Sequence, residues 1–76
     1  MNHAKLEKSV RLRELLAYLR LRGAAGATTK EILVNCEHVA AVSAAVSELR
    51  ANGISVDCDV ERTTASGATV YRYKVA

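Results

Sequence analysis

The sequence predicts an α+β fold: three helices followed by a C-terminal two-stranded β-hairpin. Three observations predict it. Leu12, Leu15, Leu16 and Leu19 recur at the i, i+3, i+4, i+7 spacing of one buried helix face. Val39, Val42, Val46 and Leu49 form a second such stripe, which stops before Gly53. From Ile54 the period changes to two: Ile54, Val56, Cys58 and Val60 alternate with Ser55, Asp57, Asp59 and Glu61, the pattern of a half-buried strand.

The first helix is expected over 5–22. Gly23 and Gly26 stop it, and Arg20 and Arg22 in its last turn suit the negative end of the helix dipole. A thinner stripe of Leu6, Val10, Ala17 and Leu21 lies opposite the leucines. It is expected either to meet another subunit or to fold under the C-terminal strand. Gly23 to Gly26 reads as a loop and Ala27-Thr28 as a very short strand. Thr28-Thr29-Lys30-Glu31 is a capping box, in which a hydroxyl caps the helix and Glu31 reaches back to the cap's own N–H. It starts a second helix over about 29–34, with Ile32 and Leu33 facing inward.

Asn35-Cys36-Glu37 makes the next turn, since Asn tolerates the left-handed backbone that ends helices. The third helix is expected over 38–51, with Gly53 just beyond its end and Ser43, Ala44, Ser47 and Arg50 outside or at the border. The hairpin is expected over 54–75, turning between Thr63 and Gly67, with Ser66-Gly67 its tightest point. A two- or four-residue loop puts Asp57, Asp59 and Glu61 on the face of Arg72 and Lys74, where cross-strand charge pairs follow.

At 76 residues the chain is expected to be a single domain, 1–76. Half of it is hydrophobic, but the only aromatics are three tyrosines, so Leu, Val, Ile and Ala must build the core. No apolar run approaches the roughly 18 residues of a membrane span, and the charged first turn is unlike a secretory signal. A cytoplasmic location is expected. Cys36 and Cys58 make no disulfide framework and read as small core residues.

The net charge of +3 is unevenly spread. Residues 1–22 hold six cations and two carboxylates, whereas residues 23–76 hold five cations and six carboxylates. A basic first helix can hold phosphates or can simply be a solvated surface.

This order of elements, with Ser43-x-x-Val46-x-x-Leu49-Arg50-x-x-Gly53-Ile54 at the end of the third helix, resembles a winged helix-turn-helix domain. The likeness is to small bacterial regulators of the ArsR and MarR type and to compact phage and prophage winged-helix proteins. It covers about Leu12 to Val75. It implies a double-stranded DNA-binding protein in transcription regulation, acting as a homodimer on a pseudo-palindromic site. The third helix would enter the major groove and the hairpin wing would lie on the adjacent backbone. By resemblance Ser43 and Ser47 match polar contact positions, and Arg50 a basic position near the helix end. Thr28, Thr29 and Lys30 match a phosphate-touching helix start, and Arg62 a basic wing residue.

The chain departs from the family where Ala40, Ala41, Ala44 and Ala45 stand in place of Arg, Lys, Gln or Asn. Bidentate base reading is therefore not available in the first three turns of the third helix. The alternative is a winged-helix protein-interaction module, such as a phage-encoded modulator that binds a host protein. The alanine-rich helix face and the acidic hairpin patch motivate that alternative.

No enzyme is expected. His3 and His38 are the only histidines, and His38 near Cys36 lacks the further ligands of a metal site. A glycine-rich phosphate loop is missing from the sequence, and Asp57 and Asp59 have no pocket. No cofactor is implied.

Overall fold

The computed structural model describes Lys5 and residues 8–75. The expectations placed on His3 and Leu6 lie outside the described residues. The fold is α+β, with three helices and a three-stranded antiparallel sheet. The order is α1 (Val10–Arg22), β1 (Ala27–Thr28), α2 (Thr29–Asn35), α3 (Val42–Ala51), β2 (Val56–Thr63) and β3 (Thr69–Val75). The sheet holds one strand more than the expected two-stranded hairpin, because β1 pairs with β3 and gives the order β1-β3-β2.

Both longer helices start later than their apolar stripes suggest. The hydroxyl of Ser9 accepts the N–H of Leu12 at 3.2 Å, so Ser9 caps α1, which begins at Val10. At α3 the stripe residue Val39 is buried without being helical: its N–H bonds the Cys36 carbonyl at 3.1 Å in a turn. His38 is drawn to α1 instead, its N–H donating to Glu14 Oε1 at 2.8 Å. The helix begins only after the extended residue Ala41.

The capping box of α2 forms in full. Thr28 Oγ1 accepts the Glu31 N–H at 3.2 Å, and the Glu31 carboxylate accepts the Thr28 N–H at 2.9 Å. The end of α3 is a Schellman motif: Gly53 N–H bonds the Arg50 carbonyl and Ile54 N–H the Leu49 carbonyl, each at 3.0 Å. Gly53 adopts φ 85°, which a residue with a Cβ resists. Gly26, at φ 61°, has a second constraint, since a Cβ there would run into the Tyr73 carbonyl oxygen of β3.

The core joins the leucine face of α1 to Ile32, Cys36, Val39 and the α3 stripe, with Ala27, Val56 and Tyr73 closing it from the sheet. Each large side chain contributes roughly 1.5–3 kcal/mol through its burial. Ala45 is fully buried and is a packing residue rather than part of the outer face. Leu33, expected inside, is 46% exposed, because a helix of two turns buries only Ile32. Val10, Ala17 and Leu21 on the back of α1 stay exposed, so the C-terminal strand does not cover them. No described helix is long and apolar enough to cross a membrane.

The hairpin register sets Asp57 opposite Lys74 and Asp59 opposite Arg72, which puts the charges on one face. The apolar face is covered only at its base. Val56 and Tyr73 are buried, while Cys58 and Val60 are exposed, against the expectation that Cys58 is a core residue. The strands run on past the helices that would cover them.

Replacing Gly53 with Ala is expected to lower the unfolding free energy by about 1 kcal/mol, the strain of a left-handed Ala. Gly26→Ala should cost more, because it must also displace β3. Urea denaturation of the two variants and the parent measures both losses, and equal losses would contradict the Tyr73 contact.

Candidate nucleic-acid interface

A bulge in β2 shapes a concave feature of the surface. Val60 pairs with Tyr71 and Arg62 with Val70, so Glu61 is an extra residue. Strict alternation would turn Arg62 to the Val60 face. The bulge keeps both Glu61 and Arg62 on the face of Arg72. There they meet the first turn of α2 across a groove of about 560 Å³. Thr28, Lys30, Glu31 and Thr64 line it from α2 and the hairpin turn, and Val70 and Arg72 form its floor with Glu61 and Arg62.

Arg72 organises this groove. Its Nε donates to Glu61 Oε1 at 2.7 Å and its Nη1 to the Ala25 carbonyl at 2.8 Å, with Glu31 Oε1 at 3.6 Å. Arg22 approaches Glu31 from the end of α1, with Nη2 to Oε2 at 3.4 Å, while its Nε holds the Gly26 carbonyl at 2.8 Å. The Thr28 N–H, followed by the Thr28 hydroxyl and the charges of Arg22 and Arg72, outweighs partial burial and holds the Glu31 carboxyl below the ordinary glutamate value. Both carboxylates of the groove are thus engaged by Arg72. Lys30 makes no ion pair among the described residues, and Arg62 makes only a loose one with Glu61 at 3.8 Å.

The sequence-derived site residues fall into three places. Thr28, Lys30 and Arg62 line the groove together. Thr28 contributes there as a cap whose hydroxyl is already engaged. Thr29 and Arg50 lie on the other side of the sheet, near the Tyr73 phenol. Burial, reinforced by Cys58, pushes this phenol up, and Thr29 and Arg50 partly offset the rise. The Arg50 guanidinium grips the Val56 carbonyl, with Nη2 at 2.7 Å and Nε at 3.2 Å, so it fastens α3 to β2. Ser43 and Ser47 sit one turn apart on the open face of α3, where Ala44 and Ala51 are also exposed. That face is smooth and carries charge only at its edges.

The arginines of α1 divide similarly. Arg11 pairs with Glu48 of α3, and Arg22 is held as above. Arg13 and Arg20 are exposed and make no ion pair among the described residues. Arg72, Glu31 and Glu61 are groove residues that the sequence reading did not select. The opposition of Glu61 and Arg72 was visible in the strand pattern, but the approach of α2 to that face was not. Compared with known proteins, the chain matches no protein-family model, no curated sequence and no solved structure.

The Glu14 carboxyl is also held low, first by the His38 N–H. A carboxyl lowered on folding contributes stability that is full above its unfolded value, 4.5 for glutamate, and is lost as pH falls through the folded one. Thermal melts should therefore show stability dropping once pH goes below that value. Glu31→Gln should make the drop shallower, and an unchanged acid limb in that variant would contradict the network around Glu31.

Proposed function

We propose that this chain is a double-stranded DNA-binding protein of the winged helix-turn-helix kind, a small transcriptional regulator. In this reading α3 enters the major groove and the hairpin lies along the neighbouring backbone. The observation that carries the reading is the placement of Lys30 and Arg62 in one groove, with both of its carboxylates engaged by Arg72. Two cations from distant parts of the chain, one at the start of α2 and one on the hairpin, are left facing solvent across the groove. Phosphates are the ligands that such cations suit, and the start of α2 and the hairpin present them from the two sides of the groove.

The roles within that surface differ from those the resemblance alone implies. Arg50 acts by fixing the angle between α3 and the hairpin. Ser43 and Ser47, flanked by Ala44 and Ala51, make close but weakly discriminating contacts with bases or phosphates. Sequence preference then rests on DNA shape and on the spacing of two copies rather than on bidentate base contacts. In a homodimer the uncovered Val10, Ala17 and Leu21 face of α1 would be the meeting surface.

Fluorescence anisotropy with a labelled duplex of about two helical turns (roughly 20 base pairs) tests the reading. Binding should appear at low salt and weaken steeply as salt rises. Lys30→Ala and Arg62→Ala should each reduce the logarithmic salt slope by about 1. Arg50→Ala should mainly lower the unfolding midpoint. Absence of binding at low salt, or an unchanged slope in both variants, would overturn the assignment.

A further inference from the structure

We infer that the outer edge of β2 is a docking site for an extended peptide of alternating basic and apolar residues, added to the sheet as a fourth strand. The inference does not depend on DNA binding. The strand order β1-β3-β2 leaves β2 at the margin, with no strand beyond it among the described residues. In an antiparallel ladder every second residue turns its N–H and C=O away from its partner. Over Val56–Thr63 those groups face outward along eight residues, of which only Val56 is buried. Arg50 takes the Val56 carbonyl, so the edge is closed at its base and open from there to the tip.

Side chains on the two faces of this edge define the occupant. One face carries Asp57 and Asp59. Asp57 has no ion pair among the described residues, and Asp59, with its side chain 65% exposed, meets only Lys74 at 3.5 Å. The other face carries exposed Cys58 and Val60, the latter 63% exposed. An added strand would set Lys or Arg beside the aspartates and apolar side chains beside Cys58 and Val60. Such cross-strand pairs stabilise sheets. Strand addition of this kind draws affinity from main-chain hydrogen bonds and specificity from alternate side chains.

A second copy of the same edge is disfavoured by charge where its aspartates meet. An antiparallel pairing of two β2 strands about Cys58 that continues the sheet sets Asp57 against Asp59, which is destabilising. The carboxylates thus disfavour self-pairing and select a basic strand. The chain already contains one sequence of the required chemistry. In β3, Val70, Arg72 and Lys74 alternate with Tyr71, Tyr73 and Val75, and this strand satisfies the inner edge of β2 with Lys74 opposite Asp57 and Arg72 opposite Asp59.

A synthetic peptide copying residues 68–76, blocked at both ends, is therefore the probe. Added to the isotope-labelled full chain, it should slow amide exchange along β2 and shift resonances of residues 57–61. The same peptide with Glu at its two basic positions should bind at least about tenfold more weakly, about 1.4 kcal/mol. An Asp57→Ser, Asp59→Ser double variant should lose as much affinity while keeping its unfolding midpoint. If that variant unfolds, the two peptides alone decide. No protection of β2, equal binding of the two peptides, loss of protection in β3 through strand exchange, or pairing of β2 with itself at high concentration would each overturn the proposal.

Discussion

Glu31 ties three parts of the chain together at one point. Its carboxylate accepts the Thr28 N–H, closing the start of α2, and faces Arg22 from the end of α1 and Arg72 from the middle of β3. Arg72 carries the connection on to Glu61 in β2 and to the Ala25 carbonyl in the loop after α1. A local rule, the capping box, thereby becomes a tertiary joint. Each of these pairs is partly exposed and contributes little alone. Their shared value is geometric: they fix the hairpin against α2, and that orientation defines the groove holding Lys30 and Arg62.

This joint also determines which charges remain for a ligand. The sequence contains eleven Lys and Arg residues, enough to suggest a broad basic surface. Many of them are engaged internally. Arg11 holds Glu48, Arg22 and Arg72 hold Glu31, Arg50 holds the Val56 carbonyl and Lys74 meets Asp59. Counting cations therefore overstates the field available to a phosphate. Lys30 and Arg62 matter because the carboxylates nearest them, Glu31 and Glu61, are already engaged by Arg22 and Arg72, which are themselves fixed.

The sequence exposed the elements whose periodicity is local. The leucine face of α1, the inner stripe of α3, the capping box and Gly53 all appear where spacing and residue type place them. It was less informative where a non-helical residue imitates the pattern. Val39 sits three residues before Val42 and is buried, which continues the spacing of the helical stripe, yet its backbone belongs to a turn held down by Glu14 and His38. Likewise Leu33 has the composition of a core residue but lies on a helix too short to bury two large side chains. Ala45 reads as an outer position by family resemblance and as core by packing. The roles of Arg50 and Arg72 were not legible, because each depends on a carbonyl or carboxylate brought near by the fold: Val56 for Arg50, and Ala25, 47 residues away in sequence, for Arg72.

The bulge at Glu61 gives the hairpin two different margins. Before it, Asp57 and Asp59 stand beside an open strand edge. After it, Arg62 is turned to the groove side, toward Lys30. One strand thus carries negative charge along its base half and a cation near its tip, without a change of face between them. A uniform two-residue alternation could not do this, since it would turn Arg62 toward Val60. The carboxylate of the bulged Glu61 is itself taken up by Arg72. By repositioning Arg62 the bulge separates a surface suited to phosphates from one suited to basic peptide, and so allows both kinds of contact on an eight-residue strand.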